Sequence, residues 1–143
     1  MRLSLATRTV DGTAGAAAAE IITGATPGRV KIKEIGIFLA AATASVYAIG
    51  RPAVNGITPT SPIDFLPEDP DEVLAASVVS MATAWGTGPT VPAAYFRRIS
   101  MPATIGTGVI FTFENLVIPV SDSIVIWNIG TNGVADVYAV VEI

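Results

Sequence analysis

Alternation is the feature that most limits what this chain can fold into. Towards the C-terminal end, Ala135, Val137, Ala139, Val141 and Ile143 fall on one phase, and Asp136, Tyr138, Val140 and Glu142 on the other. Successive side chains of a strand point to opposite sides, so apolar residues spaced by two line one face. The spacing recurs. Leu3 and Leu5 begin it, Thr7 and Thr9 continue the phase, and Asp11-Gly12 supplies a turn. Val109, Phe111 and Phe113 alternate with Ile110 and Thr112, and a turn at Glu114-Asn115 is expected before a further strand at 116–120. Residues 123–129 are apolar on both phases, which suits a strand in the middle of a sheet. Thr131-Asn132-Gly133 carries a hairpin signal. No helical period is sustained.

Residues 29–39 are the most informative stretch. Val30 and Ile32 alternate with Arg29, Lys31 and Lys33, and then the apolar phase slips by one to Ile35, Ile37 and Leu39. Such a slip turns the second set to the wrong face unless a bulge absorbs one residue. A bulge or bend is therefore expected near Lys33-Glu34, and Gly36 can mark the same kink. A strand at 43–49 should end at Arg51-Pro52. Residues 13–19, rich in Ala and Gly, read as a loop or one helical turn, and 20–23 as a short strand closed by Gly24 and Pro27-Gly28. Residues 52–70 hold five prolines and Asn55-Gly56, so a long irregular connection is expected. Composition pulls both ways over 73–85, with a strand favoured from about Ser77 and a loop at 86–92. A strand at 95–101 would carry Arg97 and Arg98 on opposite faces.

Short strands between Gly, Pro and Asn-Gly turns imply an all-β chain: a single-domain antiparallel β-sandwich or jelly-roll-like barrel with a long Pro-rich loop. The 143 residues divide into an N-terminal strand and Ala/Gly-rich arm, 1–28, and a sandwich body, 29–143, one domain overall. Hydrophobic residues make up 51% and charged residues 14%, against about 25% charged in ordinary soluble domains. A lone domain of this size does not bury that much apolar surface. Sheet edges also need charge, cover or a partner. Both arguments favour an assembly.

With no His and no Cys, Ser-His-Asp triads, Cys nucleophiles, His or Cys zinc sites and disulfides are excluded. A net charge of −4 argues against a nucleic-acid binder. The uncharged stretches 35–50 and 73–96 do not suit a membrane helix: the first is short of the ~20 residues needed, and the second is broken by Gly86, Gly88, Pro89 and Pro92. The start of the chain lacks a secretory-signal pattern.

Carboxylates are the main acid–base groups left. Nothing in the spacing of Glu114, Asp122 and Asp136 places two of them in one cleft, and the aspartic-protease triplet is missing. The run Glu68-Asp69-Pro70-Asp71-Glu72 offers oxygens to calcium but lacks an EF-hand pattern. The glycines at 12–15 and 106–108 match no phosphate-binding loop. No catalytic residue, metal, cofactor or small-molecule substrate is expected. Arg29, Lys31 and Lys33, with Arg2, form either a solvated basic face or a salt-dependent contact for the acidic 64–72 segment of another copy. Trp127 reads as core. Trp85 reads as core, interface anchor or carbohydrate platform.

Three segments in order carry a resemblance: Ser45-Val46-Tyr47-Ala48-Ile49-Gly50-Arg51-Pro52 before the proline-rich loop, then Pro92-Ala93-Ala94-Tyr95-Phe96-Arg97-Arg98-Ile99, then Ser123-Ile124-Val125-Ile126-Trp127-Asn128 and a short closing strand. The chain resembles small virion proteins of tailed bacteriophages, particularly capsid decoration (cement) proteins. The resemblance spans roughly residues 30–143, and lies in style and segment order. It implies a β-sandwich or jelly roll bound as a homotrimer to the major capsid protein on the virion surface, after synthesis in the host cytoplasm. It brings no catalytic residues, nucleic acid or membrane. The expected partner-binding residues are Arg2, Asp64, Glu68, Asp69, Asp71, Glu72, Trp85, Arg97 and Arg98. The alternatives are a carbohydrate- or receptor-binding head domain of a tail or fibre, and an enzyme using two carboxylates.

Overall fold

In the computed structural model, which describes residues 1–25, 29–74 and 78–143, the alternating segments become strands. In chain order they are β1 (Arg2–Arg8), β2 (Ala17–Thr23), β3 (Val30–Leu39), β4 (Ser45–Gly50), β5 (Ile57–Pro59), β6 (Ile63–Asp64), β7 (Leu66–Pro67), β8 (Val79–Ala82), β9 (Trp85–Thr87), β10 (Arg97–Met101), β11 (Gly108–Ile118), β12 (Ser123–Asn128) and β13 (Ala135–Glu142). A five-stranded sheet runs β11-β3-β13-β1-β7, and a six-stranded sheet runs β10-β4-β12-β2-β8-β6. Both are antiparallel. Their inner faces bury Leu3, Ile35, Ile37, Val137 and Val141 from one sheet with Ile21, Ile49, Ile124 and Ile126 from the other. The chain is thus an all-β antiparallel sandwich, as expected. β5 and β9 form a separate two-stranded ribbon, and a second, smaller core gathers Ala48, Val125 and Trp127 with Ala17, Tyr95 and Ile129 packed against them. Trp127 is fully buried there.

The slip in β3 is a bulge at the expected place. Against β13, Val140 pairs with Glu34 and Val141 with Ile32, so Lys33 has no opposite number. Val30 and Ile32 before the bulge and Ile35, Ile37 and Leu39 after it are therefore all buried. Against β11, Thr112 pairs with Glu34 and Leu116 with Ile32. The turn expected at Glu114-Asn115 is instead a bulge inside one long strand, because β3 bends at the matching point and both halves stay in its ladder.

Other expectations need correction. Residues 52–70 are not an irregular loop, since β5, β6 and β7 pair with β9, β8 and β1. Between β6 and β7 the chain steps from one sheet to the other through the buried Phe65, closing that side of the sandwich. Ala17–Ala19 belong to β2 rather than to a loop, and β9 interrupts the loop expected at 86–92. Thr131-Asn132-Gly133 makes no hairpin, because β12 and β13 lie in different sheets. Asn132 continues the β12 side of β4 instead: its Oδ1 accepts from Val46 N–H at 2.9 Å and its Nδ2 donates to Val46 C=O at 2.8 Å. Asp11-Gly12 starts no neighbouring strand either, and Gly12 bridges to Asn132. The turn at Pro27-Gly28 and the strand start at Ser77 lie outside the described residues. No helix among the described residues is long and apolar enough to cross a membrane.

Candidate interaction surface

The outer face of the five-stranded sheet is built by the residues that alternate with the core. Register places Leu66, Ser4, Val140, Glu34 and Thr112 in one row across it. Ala6, Tyr138, Gly36 and Ile110 form the next, and Arg8, Asp136, Phe38 and Gly108 the one beyond. The middle is mostly apolar. The rings of Phe38 and Tyr138 stack with centroids 6.5 Å apart. Tyr138 lies directly over Gly36, where any Cβ would collide with its ring. Charges stand around this band. Arg8 grips Asp136 through two hydrogen bonds, of 2.7 and 3.1 Å, which hold the Asp136 carboxyl below its ordinary range. That pair is exposed, so water and salt screen it and it adds little stability. It is the one ion pair among the described residues.

Tyr138 Oη donates to Glu34 Oε2 at 2.7 Å. That bond, then burial, then the neighbouring negative charge push the phenol up to about 12. The folded state thus holds this proton more tightly than the unfolded chain does. The stability it contributes should be complete below the ordinary value of 10.0 and disappear as pH rises through about 12. Phenolate absorbance should show a tyrosine ionising only near that upper value. Tyr47 is also raised, mainly by burial, so Tyr138→Phe is needed to assign the late step. Persistence of the whole late step in that variant would contradict the assignment.

The expected partner-binding residues fall in three places. Arg2 and Glu68 come together: Glu68 N–H donates to Arg2 C=O at 3.0 Å, and both line a shallow depression with Lys33, Glu34, Thr112 and Val140. Asp64 and Glu72 line a different hollow, with Phe65, Leu74 and Val79. Asp69 organises the turn between them. Its Oδ1 accepts from Asp71 N–H at 3.0 Å and its C=O from Glu72 N–H at 3.1 Å. No three acids among the described residues gather as metal ligands. Arg97 and Arg98 lie on β10, at the end of the other sheet. Both are exposed, and the Arg97 guanidinium sits 4.9 Å from the centre of the Phe113 ring. Of the three carboxylates weighed for catalysis, Asp136 is held by Arg8, Asp122 Oδ1 accepts from Ser123 N–H at 2.8 Å, and Glu114 is exposed on the β11 bulge.

Trp85 belongs to a constellation that sequence reasoning missed. Glu20 is 1% exposed, on the outer side of the six-stranded sheet beneath the β5–β9 ribbon. Trp85 Nε1 donates to its Oε1 at 2.9 Å. Gly56 N–H and Ser123 Oγ donate to its Oε2 at 3.1 and 2.8 Å. A carboxyl with no ion-pair partner among the described residues thus pins the ribbon to the sheet. The only signal in the sequence was one acid between Ala19 and Ile21. Arg51 was also missed: it donates to Val117 C=O at 2.7 Å and faces the Phe96 ring, 5.6 Å from its centre.

No family model matches the chain, and neither a curated protein nor a solved structure matches it.

Proposed function

We propose that the chain is a structural subunit of a tailed-phage virion, a decoration protein that binds the outside of the capsid with copies of itself and stabilises the mature shell. The observation that carries this reading is the apolar surface left in water. Val10, Val54, Ile57, Leu66, Val73, Ile105 and Ile110 are each more than half exposed. Covering apolar area is worth about 25 cal/mol per Å², so contact with other polypeptides is favourable. The charged residues add direction. Arg2, Lys31, Lys33, Glu68 and Glu142 make no ion pair among the described residues, which leaves them for salt-dependent contacts. The resemblance in segment order supplies the setting: trimers on the major capsid protein, reached after synthesis in the host cytoplasm.

The mechanism is linkage. A protein that binds the mature lattice and no other state stabilises that lattice by mass action, and repeated contacts add avidity. The role asks for no chemistry. Trp85, which a glycan-binding head would use as its platform, gives its indole N–H to Glu20. The test is to prepare capsids with and without the chain and follow DNA release on heating and osmotic shock. Bare capsids should burst at lower temperature, and added protein should restore them. Equal survival rejects the role, and binding on a glycan array without capsid binding would favour the receptor-binding alternative.

A further inference from the structure

We propose that the outer edge of β11 pairs with the same strand of a second copy, antiparallel about a two-fold axis at Ile110, joining two five-stranded sheets into one. β11 ends its sheet, with β3 on one side and no strand on the other among the described residues. The remaining edges are guarded. β6 and β7 are two residues long, β7 contains Pro67, and β10 carries Arg97 and Arg98. Short length, proline and charge are the usual ways of blunting a sheet edge. Over 108–112, β11 reads Gly-Val-Ile-Phe-Thr and has none of them.

Its hydrogen-bonding groups are also set out to match themselves. Leu39 N–H donates to Thr107 C=O at 2.8 Å, while Leu39 C=O accepts from Gly106 N–H at 2.9 Å, so the bond from Leu39 to Thr107 sets the phase of the ladder. Alternation then turns the N–H and C=O of Val109 and Phe111 towards β3 and those of Gly108, Ile110 and Thr112 outward. With the axis at Ile110, every outward residue meets an outward residue: Ile110 meets Ile110, and Gly108 meets Thr112. Val109 comes opposite Phe111, a favourable cross-strand pair. No charge lies within the paired stretch, and Glu114 would come opposite Gly106. The bulge at 113–115 ends the ladder. A two-fold contact cannot close a trimer. It makes a dimer of a lone subunit and links two trimers where trimers form. The inference stands on the strand alone, so it can fail while capsid binding holds, and the reverse.

The experiment combines sedimentation with amide hydrogen exchange on the intact chain. Ile110 is exposed, so Ile110→Lys should fold normally while placing like charges at the axis. The wild-type Gly108 and Thr112 amides should exchange at least ~10-fold more slowly than in Ile110→Lys, and the variant should sediment at half the wild-type mass. Mixing Ile110→Lys with Ile110→Glu should restore both the mass and the protection. Free exchange of the wild-type Thr112 amide, or an Ile110→Lys protein that keeps the wild-type mass, overturns the pairing.

Discussion

Ile32→Lys is expected to leave the protein unfolded at room temperature, while Lys33→Ala should fold and lose less than about 1 kcal/mol. Lys33 is the extra residue of the β3 bulge, half-exposed and without a partner in β13. As the extra residue it lets Val30 and Ile32 before the bulge face the core together with Ile35 and Ile37 after it. Ile32→Lys carries an ammonium group to that buried face. Val30 and Ile32 are fully buried. Losing the Ile32 side chain from the core costs about 2–5 kcal/mol, before the cost of burying an ammonium group. A domain of this size has about 5–15 kcal/mol in all. Circular dichroism and urea titration of the two variants decide the matter. A folded Ile32→Lys protein with an ordinary urea midpoint would mean that position 32 does not face the core.

That bulge was legible because the apolar phase of one strand reports directly on which face is buried. The central position of β12 was legible for the same reason, since apolar residues on both phases need cover on both sides. Other features depend on residues far away. Pro59 and Pro67 suggested a loop, yet a proline is compatible with an edge strand, which has N–H groups facing away from the ladder. Asn132-Gly133 announced a reversal of the chain, but local turn chemistry does not say which sheet the next strand joins. That is decided at Val46, 86 residues away. The acids at 64–72 read as one cluster, whereas the sheet crossing at Phe65 sends Glu68 towards Arg2 and leaves Asp64 and Glu72 at another hollow. Glu20 was the least legible. Its three donors come from positions 36, 65 and 103 residues along the chain, so nothing in its own neighbourhood announced a buried carboxyl.

Glu20→Ala should cost about 2–4 kcal/mol of stability, most of it through release of the β5–β9 ribbon. Removing the carboxyl leaves Trp85 Nε1 and Gly56 N–H without an acceptor, whereas Ser123 Oγ can still donate to Asn55 Oδ1 at 3.2 Å. Each stranded buried donor costs about 1–3 kcal/mol. Two such penalties exceed what three-residue strands return, so lifting the ribbon into water is the less costly outcome. The amides of Ala53 and Thr90, which bond across the ribbon, should then exchange much faster than those of β12. Trp85, half-buried on β9 with its indole N–H on Glu20, should move to a wetter environment and shift its fluorescence to the red. Glu20→Gln should lose less, about 1–2 kcal/mol, because its carbonyl still serves one side while its NH₂ faces a donor on the other. The apolar side chains of Val54 and Ile57 ride on this ribbon. A loosened ribbon should therefore also weaken any contact they make, even though Glu20 is itself inaccessible. Unchanged ribbon exchange in Glu20→Ala would show that apolar contact alone holds the ribbon down, and that the carboxyl is not its anchor.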